Sequence, residues 1–191
     1  MSTLRLILYG KQAQNPTIRA AVATERAANH DIEVRVTWEA GDAARLAEEA
    51  SRAGVARVAA GGGDGTINEV AAGLLAARDA SGRGSALAIV PLGTANDFAH
   101  ACRIPLDPAG ALHVATTAQP RPIDVGRVGG RPFINMATGG FGTEVTVETR
   151  PDLKKALHGA AYLVTGLTYL SELRPVKARS PARSSHGRES C

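Results

Sequence analysis

Apolar and polar residues alternate in blocks along the first 118 residues, and each block predicts one secondary-structure element. Short apolar runs, or strict apolar–polar alternation, predict four strands at 4–9, 32–37, 55–60 and 86–90. Stretches typical of helices follow them at 15–30, 42–53, 66–77 and 107–118. Strand and helix therefore alternate, which predicts an α/β fold with a doubly wound parallel sheet and helices on both faces.

Capping residues mark the predicted helix starts. Asn15 and Asp107 precede Pro16 and Pro108, and a capping side chain followed by a first-turn proline is typical of a helix N-terminus. Asp42 is the predicted N-cap of the second helix.

The pattern changes after residue 120. Strand-like segments at 122–128 and 131–137 flank Gly129-Gly130, and a further one lies at 141–149. A helix with one apolar face follows, formed by Leu153, Leu157, Val164 and Leu167. We therefore expect three regions: a first domain at 1–120, an incomplete β-rich second domain at 121–173, and a disordered basic tail at 174–191.

Composition and charge narrow the classes of partner. Hydrophobic residues make up 44% and charged residues 21% of the 191, the balance of an ordinary globular chain. The formal charge of +4 comes entirely from 174–191, so the organised part is neutral and we expect no nucleic-acid partner. There is no apolar run long enough to span a bilayer, no cleavable leader and no cysteine framework, so we expect a cytoplasmic protein.

The segment AAGGGDGTINEV, residues 59–70, carries the strongest functional signal. A strand ends in three glycines, and Asp64-Gly65-Thr66 leads into a helix. Glycines let the backbone approach a ligand closely, and a helix start presents N–H groups that suit a phosphate. The spacing matches neither the P-loop nor the dinucleotide fingerprint, because Asn68 stands where the third glycine should be. A plain tight turn would leave the acidic Asp64 at its centre unexplained.

A second loop, VPLGTANDFA at 90–99, also leads from a strand into a helix. Gly93 permits the turn, and Thr94, Asn96 and Asp97 offer a hydroxyl, an amide and a carboxylate. Taken alone, Thr94 or Asn96 would serve equally well as a helix cap. Because the two loops follow successive strands of one parallel sheet, we expect them to share one crevice.

Together the two loops resemble the diacylglycerol kinase catalytic-domain family, and in particular its bacterial lipid kinase branch. The likeness covers about residues 4–173 and extends to VRVTWEAGDAARLAEEA (34–50), FINMATGGFGTEV (133–145) and HGAAYLVTGL (158–167). The paired loops are specific to lipid kinases rather than to α/β proteins in general.

The resemblance implies transfer of the γ-phosphate of ATP to a hydroxyl of a diacylglycerol- or phosphatidylglycerol-type lipid at a membrane surface, with Mg²⁺ as cofactor. It implies that ATP contacts the first loop and two threonines, namely Gly62, Gly63, Asp64, Gly65, Thr66, Ile67, Asn68, Thr37 and Thr94. Asp64 is expected to act through metal-linked electrostatics and Asp97 through supporting polar contacts. The metal ligands are left open.

The sequence departs from the family after residue 173. Relatives carry a general base in an LDGE-like segment of the second domain, and no such segment occurs in this sequence. We therefore expect a truncated chain with impaired turnover, since a general base contributes about 10²–10⁴-fold to rate. Two alternatives stay open: a non-catalytic nucleotide-binding fragment, and a kinase of a soluble substrate such as NAD. The identity of the lipid and the oligomeric state are not predicted.

Overall fold

Four parallel strands form the central sheet of the computed structural model, which describes residues 3–79 and 82–135. The strands are β1 (Leu4–Leu8), β2 (Ile32–Val36), β3 (Arg57–Gly62) and β4 (Ala86–Pro91). They lie in the order β2-β1-β3-β4, and every neighbouring pair is parallel. The predicted α/β class is therefore confirmed. Strand β3 runs two residues further than predicted, because Gly61 and Gly62 pair with Val90 and Pro91 of β4.

Helices cover both faces of the sheet. They are α1 (Pro16–Ala27), α2 (Asp42–Arg52), α3 (Asp64–Ala76), α4 (Asp97–Ala101) and α5 (Pro108–Thr117). Helices α1 and α5 pack against each other on one face, and α2 and α3 pack against each other on the opposite face. No helix among the described residues is long and apolar enough to cross a membrane.

The two faces of β1 show why the apolar run predicted a strand buried on both sides. Leu4, Leu6 and Leu8 pack under α1 and α5, whereas Ile7 packs under α2 and α3. Leu6 and Ile7 are both fully buried. Side chains of successive strand residues point to opposite faces, so one continuous apolar run supplies both halves of the core.

Two of the three predicted helix caps are confirmed. The Asn15 side chain accepts a hydrogen bond from the Thr17 N–H (3.0 Å), and Asp107 accepts one from the Gly110 N–H (2.7 Å). The prediction for Asp42 is wrong, because Gly41 is the N-cap of α2, with a φ of +87° that favours glycine. Asp42 is the first helical residue, and its carboxylate accepts from the backbone of the preceding turn instead.

The last described elements are the antiparallel strands β5 (Gly126–Val128) and β6 (Arg131–Phe133). Gly129 and Gly130 connect them with φ values of +54° and +79°, which confirms the predicted hairpin, although its strands are shorter than expected. The hairpin belongs to the same compact unit as the sheet, Met1–Met136, and β6 contacts α3. The predicted strand at 141–149 and the helix after it lie outside the described residues. The domain boundary near residue 121 stays a prediction.

A buried carboxylate joins α1 to α5. Glu25 is 6% exposed, and its carboxylate accepts a hydrogen bond from the Thr116 hydroxyl (2.8 Å). The Nδ1 atoms of His30 and His113 lie 2.7 and 3.1 Å from its two oxygens. Burial raises the pKa of Glu25, but the hydrogen bonds from Thr116, His30 and His113 outweigh it, so the net pKa is lowered.

Replacing Glu25 with glutamine is expected to lower the free energy of unfolding by about 1–3 kcal/mol at pH 7. Because the folded-state pKa is below the ordinary value of 4.5, the carboxylate stabilises the fold above that pH and loses its effect as the pH falls. Urea unfolding of both proteins at pH 7 and at pH 2.5, well below the ordinary pKa of 4.5, would measure this. The difference between them should shrink at the lower pH, and an equal difference at both pH values would contradict the assignment.

The matched control for Glu25 is Glu49→Gln. Glu49 has an exposed side chain and pairs with Arg45 one helical turn earlier. Exposed pairs of this kind contribute about 0.3–0.5 kcal/mol. We therefore expect the Glu49 variant to unfold close to the unmodified chain.

Candidate functional site

The loops that carry the predicted site residues follow the carboxyl ends of the four parallel strands. In the order β2-β1-β3-β4, the chain leaves β1 toward β2 on one side and reaches β3 on the other. Open α/β sheets bind ligands at such a switch point, outside the carboxyl ends of the strands. The loops after β1 and β3 border this point, and both contain glycine.

The first turn of α3 presents backbone N–H groups of the kind that suit an anion. The helix begins at Asp64, two residues earlier than predicted, because the Ile67 N–H already donates to the Gly63 carbonyl (3.1 Å). Asp64, Gly65 and Thr66 precede this first helical hydrogen bond, so their N–H groups have no partner within the helix. Free N–H groups at the positive end of a helix dipole suit a phosphate.

Glycine is required where the two glycine loops touch. A Cβ atom on Gly93 would lie 2.5 Å from the Cα of Gly63, and one on Gly63 would lie 3.3 Å from the Cα of Gly93. Next to this contact, the Leu92 N–H donates to the Gly62 carbonyl (2.8 Å). The structure therefore brings the loops after β3 and β4 into backbone contact, as the shared-crevice hypothesis requires.

The Asp64 carboxylate links these two loops. One of its oxygens accepts from the Phe98 N–H (3.1 Å) and the other from the Asp97 N–H (3.3 Å), so it caps α4 from a different loop. Asn96 is the sequence-local N-cap of α4, but its side chain is used elsewhere. Its amide group accepts from the Gly93 N–H (2.9 Å) and donates to the Gly93 carbonyl (3.0 Å).

The remaining predicted residues occupy different surroundings. Thr37 is buried after β2, where its hydroxyl accepts from the Gly10 N–H (3.2 Å). Thr94 and Asp97 are exposed in the β4 loop and at the start of α4, and Asn68 is half-buried in α3. Ile67 is only 1% exposed and packs in the core, so it supports the first turn of α3 from beneath. Its predicted contact with ATP is the one that this geometry favours least.

The analysis of the sequence missed the segment between β1 and α1. This segment crosses the carboxyl ends of the other three strands: the Tyr9 N–H donates to the Gly61 carbonyl (2.8 Å), and the Gly10 N–H donates to Thr37. The Gln12 side chain donates to the Leu92 carbonyl (3.1 Å). We call residues 9–15 the crossing segment. This segment follows the end of the first predicted strand, and that position could have marked it as part of the candidate site.

The crossing segment also contains Lys11, whose side chain is exposed. Among the residues of the four strand-end loops (9–15, 37–41, 62–66 and 92–97), Lys11 is the only lysine or arginine. Asp64 and Asp97 are carboxylates in the same set, so Lys11 is the cation available there to offset a bound anion. Lysine is a common phosphate ligand.

A separate groove of about 340 Å³ lies between α1 and β2. Its lining is mainly apolar and comes from β1, β2 and α1, including Leu6, Ile18 and Val34, together with Ala13 of the crossing segment. It shares no residue with the predicted site. The predicted residues therefore lie at the strand-end loops and not in this groove.

A known protein family matches the greater part of the chain. The family described as "Diacylglycerol kinase catalytic domain" matches residues 8–128, a range that contains every predicted site residue. Residues 8–128 also contain the crossing segment and both glycine loops.

Curated relatives cover almost the whole chain. A "Probable lipid kinase YegS-like" protein of Pseudomonas aeruginosa is 58% identical over 178 residues, which are 93% of this chain and 57% of that protein. A protein of the same description from Pseudomonas fluorescens is 56% identical over 168 residues, or 88% of this chain and 54% of its own length. The chain thus spans about half the length of the curated relatives that it matches.

Solved structures show the same fold. A crystal structure described as a diacylglycerol kinase from Bacillus anthracis is 29% identical, with a TM-score of 0.59 over 69% of this chain and 47% of that one. A second crystal structure from that organism is 26% identical, with a TM-score of 0.68 over 92% of this chain and 56% of that one.

Proposed function

Because the chain belongs to the diacylglycerol kinase catalytic domain family, we propose that it supplies the nucleotide-binding part of an ATP-dependent lipid kinase. The reaction is transfer of the γ-phosphate of ATP to a hydroxyl of a diacylglycerol- or phosphatidylglycerol-type lipid. One observation supports the proposal most directly. The contact between Gly63 and Gly93 holds the loops after β3 and β4 together, next to the first turn of α3 and its unpaired N–H groups.

The chain's own groups are suited to holding a triphosphate. The N–H groups of Asp64, Gly65 and Thr66 donate to phosphate oxygens, and Lys11 offsets part of the negative charge. Thr37 and Thr94 offer hydroxyl groups on either side. Phosphoryl transfer needs mainly positioning and charge stabilisation, which fixed backbone donors provide without reorganisation.

The carboxylates at the site fit a magnesium ion that arrives with the nucleotide. Within residues 3–79 and 82–135, no group of three or more His, Cys, Asp or Glu side chains is arranged to hold a metal ion unaided. Mg²⁺ commonly uses one or two carboxylates together with substrate phosphates, and the two loops supply Asp64 and Asp97, whose backbone N–H donates to the Asp64 carboxylate. When bound, the ion would neutralise charge on the β- and γ-phosphates.

The lipid is proposed to approach from a membrane surface, with the enzyme on the cytoplasmic side. The direct test incubates the chain with ³²P-labelled ATP, Mg²⁺ and dispersions of diacylglycerol or phosphatidylglycerol, and measures label in the lipid. A parallel reaction offers NAD⁺. Labelled lipid supports the proposal, whereas labelled NADP⁺ without labelled lipid would show that the soluble-substrate alternative is correct.

A second candidate is a nucleotide-binding chain that performs no transfer. The observation that favours it is that the described site consists of groups suited to binding a phosphate, namely backbone N–H groups and Lys11. ATP would then raise the midpoint of thermal unfolding, since a ligand stabilises the state that binds it, while no substrate is labelled. Labelled lipid from the purified 191-residue chain would exclude this candidate.

Substitutions of Asp64 separate its structural role from its proposed metal-linked role. Asp64→Asn keeps an oxygen that can accept from the α4 backbone but removes the charge, so Mg·ATP should bind about tenfold more weakly. Without Mg²⁺, ATP should bind equally well or better, because a negative charge beside the phosphates has been removed. Asp64→Ala also removes the cap and should cost about 1 kcal/mol of stability.

Calorimetric titration with ATP in Mg²⁺ and in EDTA measures both affinities. Asp107→Asn is the matched control, since Asp107 also caps a helix with its carboxylate but belongs to α5 and to none of the four loops. Unchanged binding of Mg·ATP by the Asp64→Asn variant would show that the metal-linked role is wrong and that capping is the only role of Asp64.

A further inference from the structure

The indole of Trp38 is an exposed aromatic surface beside the proposed site. It is the only tryptophan of the chain, and it is 94% exposed. Tryptophan usually buries most of its large apolar surface, so an almost completely exposed indole needs an explanation. Trp38 follows Thr37, the buried residue that receives a hydrogen bond from the crossing segment.

Hydrogen bonds to α2 and α3 fix the backbone of the turn that carries the indole. The Trp38 and Glu39 N–H groups both donate to the Asp42 carboxylate, at 2.8 and 3.2 Å. The Gly41 N–H donates to Glu69 of α3 (3.3 Å). Hydrogen bonds from Arg45 and from the Trp38 and Glu39 N–H groups lower the pKa of Asp42 to about 2, so this acceptor stays ionised well below neutral pH. Trp38 is therefore exposed from a turn whose backbone is fixed by hydrogen bonds.

The distance from the start of α3 to this turn is comparable with the length of a nucleotide. Strand β2 is separated from β3 only by β1, so the carboxyl ends of β2 and β3 lie two strand spacings apart, about 10 Å. A triphosphate at the start of α3 would extend its nucleoside across the end of β1 toward Thr37 and Trp38. Glu69 ties the turn to the same helix whose first N–H groups suit the phosphate.

We propose that Trp38 stacks on the purine base of the bound nucleotide and fixes its position in the site. The inference rests on the proposed ATP-binding function and adds a residue that determines base recognition. Stacking on an aromatic face is favourable for any base, because every base has a π-face. Trp38 is then a contact for the base and not for the phosphates.

Insertion into a lipid surface is the other use of an exposed tryptophan, and the charges around Trp38 oppose it. Anchors to anionic membranes place lysine or arginine beside the aromatic ring. Residues 37–42 contain Glu39 and Asp42 and no basic residue, and the turn is tied to a third carboxylate, Glu69. Because Arg45 pairs with Asp42, this group of side chains keeps an excess of two negative charges. This local acidity would repel an anionic lipid surface, whereas a purine base is uncharged.

Because Trp38 is the only tryptophan, the intrinsic fluorescence of the full chain reports on it directly. Titration with Mg·ATP should quench the emission as the base covers the indole. Inorganic tripolyphosphate with Mg²⁺ should bind with little change in emission, because it lacks a base. Vesicles of brominated phosphatidylglycerol should not quench the emission. Quenching by these vesicles and not by ATP would replace the stacking proposal with membrane insertion.

Calorimetry of variants supplies a second, independent measurement. Trp38→Ala should weaken ATP binding by about tenfold and leave tripolyphosphate binding unchanged, while Trp38→Phe should restore most of the affinity for ATP. Equal ATP affinity in the Trp38→Ala variant, or equal losses for ATP and tripolyphosphate, would overturn the proposal.

Failure of the underlying function gives a different result. If neither ATP nor tripolyphosphate binds the unmodified chain, the nucleotide site itself is wrong and the stacking proposal is overturned with it. If ATP binds with quenching but label passes to NAD⁺ instead of lipid, only the lipid assignment fails and the stacking proposal stands.

Discussion

Gly93→Ala is expected to weaken ATP binding by about 100-fold. The new Cβ atom would lie 2.5 Å from the Cα of Gly63 and 2.9 Å from the Asn96 side-chain oxygen. Backbone cannot rotate away as a flexible side chain can, so the loops after β3 and β4 must separate. Displacing binding groups by about 1 Å costs on the order of 10²-fold. Isothermal titration with Mg·ATP measures the loss.

The control for this prediction is Ala95→Ser, which adds an atom at an exposed position of the same loop. It should bind ATP as the unmodified chain does. Thermal unfolding of the Gly93→Ala variant separates a local effect from a loss of fold. A folded Gly93→Ala variant with unchanged affinity would mean that the contact between the glycine loops does not hold the nucleotide, and the observation that carries the proposed function would be lost.

The fold was predictable as far as local patterns determine it. Buried parallel strands need uninterrupted apolar residues, and the runs that begin at Leu4 and Ala86 met this requirement. The caps at Asn15 and Asp107 were equally visible, because a capping side chain bonds to a backbone group two or three residues away. The strand order was not visible, since it depends on contacts between elements distant in sequence.

The candidate site could likewise be predicted where it depends on local sequence and not where it depends on contacts between distant residues. The two glycine-rich loops could be recognised from their composition. Their contact could not, because Gly63 and Gly93 are 30 residues apart in the sequence. The dual use of Asp64 was not predictable, because the N–H groups that it accepts from are 33 and 34 residues further on. The role of Gln12 depends on a carbonyl 80 residues away.

The wrong prediction of Asp42 as an N-cap shows how a local rule fails beside an irregular turn. An aspartate before an apolar stretch predicts an N-cap, but Gly41 takes that place with a positive φ. Asp42 instead fixes the N–H groups of Trp38 and Glu39. The deviation from the expected cap is therefore the same feature that presents Trp38 to the proposed base.

Gly73→Ala is expected to have the largest effect on stability, a loss of about 3 kcal/mol in the free energy of unfolding. Gly73 lies in α3, and its Cβ atom would be 2.0 Å from the carbonyl oxygen of Ala44 and 2.8 Å from the carbonyl carbon. Both atoms are backbone of α2, so the two helices must move apart. Overpacking in a core typically costs about 1–3 kcal/mol, and a clash with backbone belongs at the upper end.

Gly65→Ala is the matched control, because Gly65 lies in the same helix and a Cβ atom there meets no atom within 4 Å. Alanine is favoured over glycine in a helix by up to about 1 kcal/mol, so this variant should be as stable as the unmodified chain or more so. Urea unfolding monitored by circular dichroism measures both variants. Equal stability of the two variants would show that α2 and α3 do not pack as closely as Gly73 and Ala44 indicate.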